Sequence, residues 1–157
     1  MSKSQLITLF AAGMLAGLAG CETTSPQQVA VHQERPRTES KNKKMKISIR
    51  KQTFTATLDD NPAAAEFRAM LPLTLDMSEL NGNEKHSRLP GPLPADAADP
   101  GMIRNGDLML WGSDTLVLIY KGFRTTYRYT RLGRVDDPEG LAAAVESGGV
   151  AVTFGLE

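Results

Sequence analysis

The chain reads as mainly β: a closed antiparallel β-barrel carrying two short helices. Three observations predict this. About eight short runs, alternating or continuously apolar, follow one another from residue 46 to residue 156 with turn residues between them. Helix start signals occur at only two places, Asn61-Pro62 and Asp136-Asp137-Pro138. No strand–helix–strand rhythm runs through the chain, so the crossovers a parallel sheet needs are missing and neighbouring strands must pair antiparallel.

Lys46-Ile47-Ser48-Ile49-Arg50 alternates, as does Phe54-Thr55-Ala56-Thr57-Leu58, and a tight turn near Lys51-Gln52 makes them an opening hairpin. Asn61 then offers a capping side chain, and Pro62 pre-sets φ for a first helical residue. Ala63, Phe67, Met70 and Leu71 form an apolar stripe at helical spacing, with Glu66 and Arg68 elsewhere. Pro72 ends the helix by biasing residue 71 away from helical backbone. Leu73, Leu75 and Met77 follow at period two, the mark of a strand with one buried face.

Asn81-Gly82 is the strongest hairpin signal, because both central residues of a type I′ turn need positive φ. It pairs 73–79 with a return strand over about 84–89. Residues 90–101 hold four prolines and two glycines, hence a long ordered loop or flap. The runs 107–111 and 116–120 are almost continuously apolar, as strands covered on both faces should be. Residues 125–132 are a further β-prone run. Asp136 or Asp137 caps a short helix that Gly148-Gly149 ends, and Val150, Val152, Phe154 and Leu156 alternate as the closing strand.

Ahead of the barrel lie two other segments. Residues 1–20 have Lys3 followed by an apolar run from Leu6 to Ala19, a secretory leader too short to span a bilayer comfortably. It ends in Leu18-Ala19-Gly20-Cys21, which resembles the bacterial lipobox, and Cys21 is the only cysteine in the chain. The resemblance implies that Cys21 becomes an acylated N-terminus, and two or more acyl chains make the membrane a stable partner. In a double-membraned envelope the same resemblance implies inner-membrane retention for an Asp after the cysteine, and with Glu22 there it implies the outer membrane, facing the periplasm. Residues 21–44 are polar and poor in aromatics, a composition that cannot bury a core, and read as a disordered tether reaching about 25–30 Å. Lys41, Lys43 and Lys44 form its basic patch. The folded domain is 45–157.

Charge narrows function. Eighteen basic side chains balance eighteen acidic ones overall, but residues 45–157 hold twelve against fifteen, a mildly acidic domain that makes a poor partner for nucleic acid. One cysteine excludes an internal disulfide, and with two histidines it cannot build a conventional zinc site. No phosphate-binding glycine loop occurs, and nothing calls for a cofactor.

From Met45 onward the chain resembles the small bacterial and archaeal cyclophilin-like family. The features that carry it are the opening hairpin, the Asp60-Asn61-Pro62…Phe67…Leu71-Pro72-Leu73 segment, Asn81-Gly82 with Glu84-Lys85, Gly106-Asp107, 116–120, Leu132-Gly133-Arg134-Val135 and the closing strand. The resemblance implies a compact cyclophilin-related barrel and little about function. True cyclophilins isomerise prolyl bonds with an arginine in a Phe-His-Arg context, a Gln-Gly-Gly-Asp segment, and a Trp and a His lining the groove. This chain has neither motif, and the resemblance assigns no catalytic residue.

Ligand-binding candidates therefore come from residue type. Lys85 and Arg88, beside His86 and the Pro-rich loop, are polar groups a flap could close over. Trp111 and Tyr120 lie on adjoining strands near a turn and serve either as pocket wall or as core. Arg124 and Tyr127, among Lys121, Arg128, Tyr129, Arg131 and Arg134, suit a groove for an anion, against the commoner reading of such a run as a solvated face that blunts strand pairing. His86, Ser113 and Asp114 are the residue types of a hydrolase triad, but no Gly-x-Ser-x-Gly elbow surrounds Ser113. The reading is a lipid-anchored envelope barrel that binds a small ligand or peptide without catalysis. The alternatives are an envelope prolyl isomerase or folding helper, and a structural lipoprotein that only contacts other proteins. Oligomeric state is open.

Overall fold

The computed structural model describes residues 43–146 and 148–157. The leader, Cys21 and the tether as far as residue 42 lie outside the described residues. The described chain forms ten strands and two helices. They are β1 Lys44–Ile49, β2 Gln52–Leu58, α1 Pro62–Ala69, β3 Leu73–Leu80, β4 Glu84–Arg88 and β5 Met102–Ile103. Then come β6 Asp107–Trp111, β7 Thr115–Ile119, β8 Phe123–Arg124, β9 Thr130–Val135, α2 Leu141–Val145 and β10 Val150–Leu156. Eight strands close into an antiparallel barrel in the order β1-β10-β3-β4-β7-β6-β9-β2, and β5 pairs with β8 as a separate two-stranded ribbon.

The barrel is the fold the alternation predicts. Met45, Ile47 and Ile49 of β1 and Val150, Val152 and Phe154 of β10 all point inward and are buried. Eight strands enclose an interior just wide enough for side chains to fill. Helix α1 helps fill it: Ala63, Ala64 and Phe67 join the central cluster, and Phe67 meets Phe154 edge to face with ring centroids 5.8 Å apart. The helix begins where Asn61 was expected to cap it, with the Asn61 carboxamide oxygen accepting from the Ala64 N–H at 2.8 Å. That cap contributes about 1 kcal/mol. The Asn61 amide donates to the Arg131 carbonyl at 2.9 Å and ties the helix start to β9.

β6 and β7 are covered on both faces, as their continuous apolar runs required. Leu108, Leu110, Leu116 and Leu118 face the barrel interior, whereas Met109, Val117 and Ile119 build a second, outer cluster with Ile103 and Tyr129. Phe123 of the small ribbon packs against this outer cluster.

Four boundary expectations are corrected. First, α1 ends at Ala69, so Met70 is its C-cap and Leu71 lies beyond it. Second, residues 125–129 are not strand despite their β-prone composition, because no barrel strand is free to pair with them. Only Tyr129 is bridged there, exchanging two 3.0 Å backbone bonds with Ala98 of the Pro-rich segment, and β9 starts at Thr130. Third, neither Asp136 nor Asp137 caps α2. Asp136 takes the Lys44 ammonium at 2.6 Å and the Thr57 hydroxyl at 2.5 Å, and Asp137 accepts from the Glu139 N–H at 3.1 Å. Gly140, in the left-handed region at φ 80°, stands at the helix start instead. Fourth, the first strand runs from Lys44 to Ile49 rather than from Lys46 to Arg50, and Lys43 pairs with Asp60 at 3.0 Å. Two of the three lysines of the basic patch thus engage the barrel's own carboxylates.

Candidate functional site

The barrel interior is packed by the core cluster, and room for a ligand lies on its outer face. A groove of about 990 Å³ lies on the outer face of β3, β4 and β7, at the upper end of what small-molecule sites occupy. Its floor is set by strand alternation. Asp76, Ser78 and Leu80 project outward from β3, and Glu84, His86 and Arg88 from β4. Thr115 and Val117 of β7 continue it, and Trp111 stands at its edge at the end of β6. Phe123, Arg124, Thr125, Tyr127 and Tyr129 supply the facing wall. That wall is held by the β5–β8 ribbon and by the Ala98–Tyr129 bridge. A smaller concavity of about 310 Å³ lies at the start of α1, lined by Asp59, Asp60, Asn61 and Arg68 among others.

Of the residues singled out from sequence, Arg88, Trp111, Arg124 and Tyr127 line this one groove. Trp111 is 52% exposed and Tyr127 66%, unusual for aromatics this large. Arg88 is already paired, donating to Asp114 at 3.0 Å. Asp114 also accepts from the Thr115 hydroxyl at 3.2 Å, and no hydrogen bond links it to His86 among the described residues. Arg131 and Arg134 are drawn to the buried Asp107 at 3.4 and 3.8 Å, away from the groove. The Pro-rich segment supplies no lining residue to the groove; it is joined to the wall through the Ala98–Tyr129 bridge.

Lys85 and Tyr120 lie elsewhere. Lys85 is the inward neighbour of Glu84, and its side chain is fully buried. Its ammonium donates to Glu79 Oε2 at 2.5 Å and to the carbonyls of Glu146 and Gly148 at 2.9 and 2.5 Å. Three donors meet three acceptors, so no bond is left for a ligand. The ammonium also sits 5.6 Å from the centroid of the Tyr120 ring. The Tyr120 hydroxyl donates to Glu79 Oε1 at 2.7 Å, and the Gly82 N–H donates to the same oxygen at 3.0 Å. Burial works to raise the Glu79 carboxyl, but the bonds from Lys85, Tyr120 and Gly82 outweigh it and hold the group below 4.5. Burial and the adjacent Glu79 carboxylate push the Tyr120 hydroxyl up to about 12. Tyr120 and Trp111 also occupy opposite ends of the β6–β7 pair rather than one turn.

Sequence reading puts Glu84 in the cluster after the Asn-Gly turn with Lys85, His86 and Arg88, but not among the ligand-binding candidates. Its side chain is only 3% exposed, it lines the groove, and its Oε2 has no hydrogen-bond partner. Burial first, and then the charge of Glu79, push its carboxyl above 4.5. Burial raises the Tyr129 hydroxyl to about 12, and the Glu84 charge adds to that shift. A usable signal existed: period two along 84–88 sets Glu84, His86 and Arg88 on the face opposite Lys85.

Residues 47–155 match the family model described as the cyclophilin-like family. Among solved structures, the solution structure of a hypothetical protein from Archaeoglobus fulgidus is similar, at TM-score 0.50 and 14% identity, over 73% of this chain and 94% of that one. At that identity the likeness speaks for the fold alone. No curated protein matches significantly. The family model covers most of the chain, and the chain belongs to the cyclophilin-like family.

Proposed function

For this member of the cyclophilin-like family, we propose a binding module that holds a small ligand or short peptide in the outer groove and performs no chemistry itself. The observation that carries the reading is the groove: about 990 Å³, outside a filled barrel, with Trp111 and Tyr127 exposed along it. Exposed aromatics beside a concavity supply contact area at little entropic cost, because each ring has few rotatable bonds. Strand positions and the braced wall pre-organise that area, which limits the ordering that binding must impose.

We propose further that the module is delivered by lipid. The support is sequence alone: the apolar leader, the small residues before Cys21, and the single cysteine standing where acylation needs it. The anchor would place the barrel at the outer membrane, facing the periplasm, on a tether of roughly 25 Å or more. Labelling with a fatty acid should tag the mature protein through Cys21, and an untagged protein refutes this address.

The groove is tested by thermal shift with short peptides and small charged ligands. Binding should raise the melting temperature of the wild type and not that of Trp111→Ala. A flat response to every probe counts against the module. Catalysed isomerisation of a proline peptide, lost on changing groove residues, would replace it with the enzymatic alternative.

A further inference from the structure

We infer that Glu84 is the recognition group of the groove and that the ligand it takes carries a protonated amine. The inference rests on the groove being a binding site and specifies what enters it. Three charged side chains are buried among the described residues: Glu84, Lys85 and Asp107. Lys85 has three acceptors. Asp107 accepts from the Arg104 N–H at 2.8 Å and from Arg131 at 3.4 Å. Glu84 alone keeps a buried oxygen without a partner, and it is the one of the three that faces the groove.

A buried carboxyl oxygen with an open lone pair is costly to keep, and native proteins keep few of them. An ammonium completes it in two ways. It donates a charge-assisted hydrogen bond to the open oxygen, and it supplies the counter-charge that burial denies the carboxylate. The surroundings suit the same ion. Tyr129, Phe123, Trp111 and Tyr127 present aromatic rings in the groove, and a cation is attracted to their faces. Asp76 adds a second carboxylate on the floor. Of the two groove arginines, Arg88 is already neutralised by Asp114 at 3.0 Å, which leaves Arg124 as the remaining guanidinium. An anionic ligand would face the buried Glu84 and Asp76 with only that one cation in support.

The ammonium has two sources, a lysine side chain in a peptide or a free amine, and the test separates them. Trp111 is the only tryptophan in the chain, so its fluorescence reports the groove directly. The full chain is titrated with an end-blocked tripeptide centred on lysine, with the same peptide centred on Nε-acetyl-lysine or on glutamate, and with 1,5-diaminopentane. The lysine peptide or the diamine should bind at least ten-fold more tightly than the acetylated peptide. Glu84→Gln should erase that preference while leaving the acetylated peptide's affinity unchanged, and Glu84→Met repeats the measurement if the glutamine variant fails to fold. The lysine peptide, the acetyl-lysine peptide and the diamine all binding alike in both proteins would overturn the inference and leave the groove standing. So would the glutamate peptide binding best. Tight binding of the diamine alone assigns the ammonium to a free amine, and of the lysine peptide to a lysine side chain. No fluorescence change with any probe would remove the groove reading and this inference together.

Discussion

Glu84 and Lys85 are consecutive residues of one strand, both charged and both buried, and their fates are opposite. Alternation sends Lys85 into the end of the barrel, where Glu79 and two carbonyls meet each of its donors. It sends Glu84 outward beneath the groove wall, where one carboxylate oxygen stays open. The same burial therefore reads as structure at one position and as recognition at the next. Polar burial alone does not mark a site; what sets Glu84 apart is a buried carboxylate with an open oxygen that also lines a groove.

The sharpest way to break this comparison is to make one substitution at both positions. Lys85→Met should destabilise by about 2 kcal/mol, because it takes the ammonium from the partly exposed Glu79 and leaves two carbonyls unpaired. Glu84→Met should stabilise at neutral pH by about 1 kcal/mol, because it removes an unsatisfied polar group. Urea unfolding of both variants measures the two signs, and equal signs would dissolve the contrast.

The two glutamates sharpen it with pH. The folded state raises Glu84 above 4.5, so it binds this proton more tightly than the unfolded chain does. The contribution is whole below 4.5 and is lost as pH rises through the folded value, so the gain from Glu84→Met should vanish below about pH 4.5. Glu79 is lowered in the fold, so its contribution is present above 4.5 and is lost as pH falls through its folded value. Stability curves of the wild type and Glu84→Met from pH 3 to 8 should therefore converge on the acid side.

Smaller effects follow. Tyr120→Phe removes one hydroxyl from Glu79 and should cost about 1 kcal/mol. Trp111→Ala, at a half-exposed rim position, should change stability by less than about 0.5 kcal/mol while weakening any groove ligand about ten-fold or more. A stability loss well beyond that would make Trp111 core instead of wall.

How much of this was legible beforehand differs by element. The barrel was, since period-two runs such as Met45-Ile47-Ile49 and Val150-Val152-Phe154 can bury one face only by pairing into a sheet. The double cover of β6 and β7 was legible too, because alternation of a uniformly apolar strand leaves grease on both sides. So was α1, where Asn61-Pro62 carries its own start signal and the structure uses it. The stretch 125–129 was not, because β-propensity describes a residue's fitness for a pleated surface, and pairing needs a free edge that other strands had already taken. Nor was α2's start, because Asp136 serves Lys44 and Thr57 from distant strands.

For the site, residue type proposed six side chains, and the fold gathered Arg88, Trp111, Arg124 and Tyr127 while taking Lys85 and Tyr120 into the Glu79 network. Local pattern by itself determined the barrel, the helix plug and which face of β4 each charge occupies, because these depend on spacing over a few residues. Only tertiary structure decided that Lys85 finds three acceptors and that Glu84 keeps an open oxygen. Partners for a buried charge come from segments far apart in sequence, and no local pattern records whether they arrive.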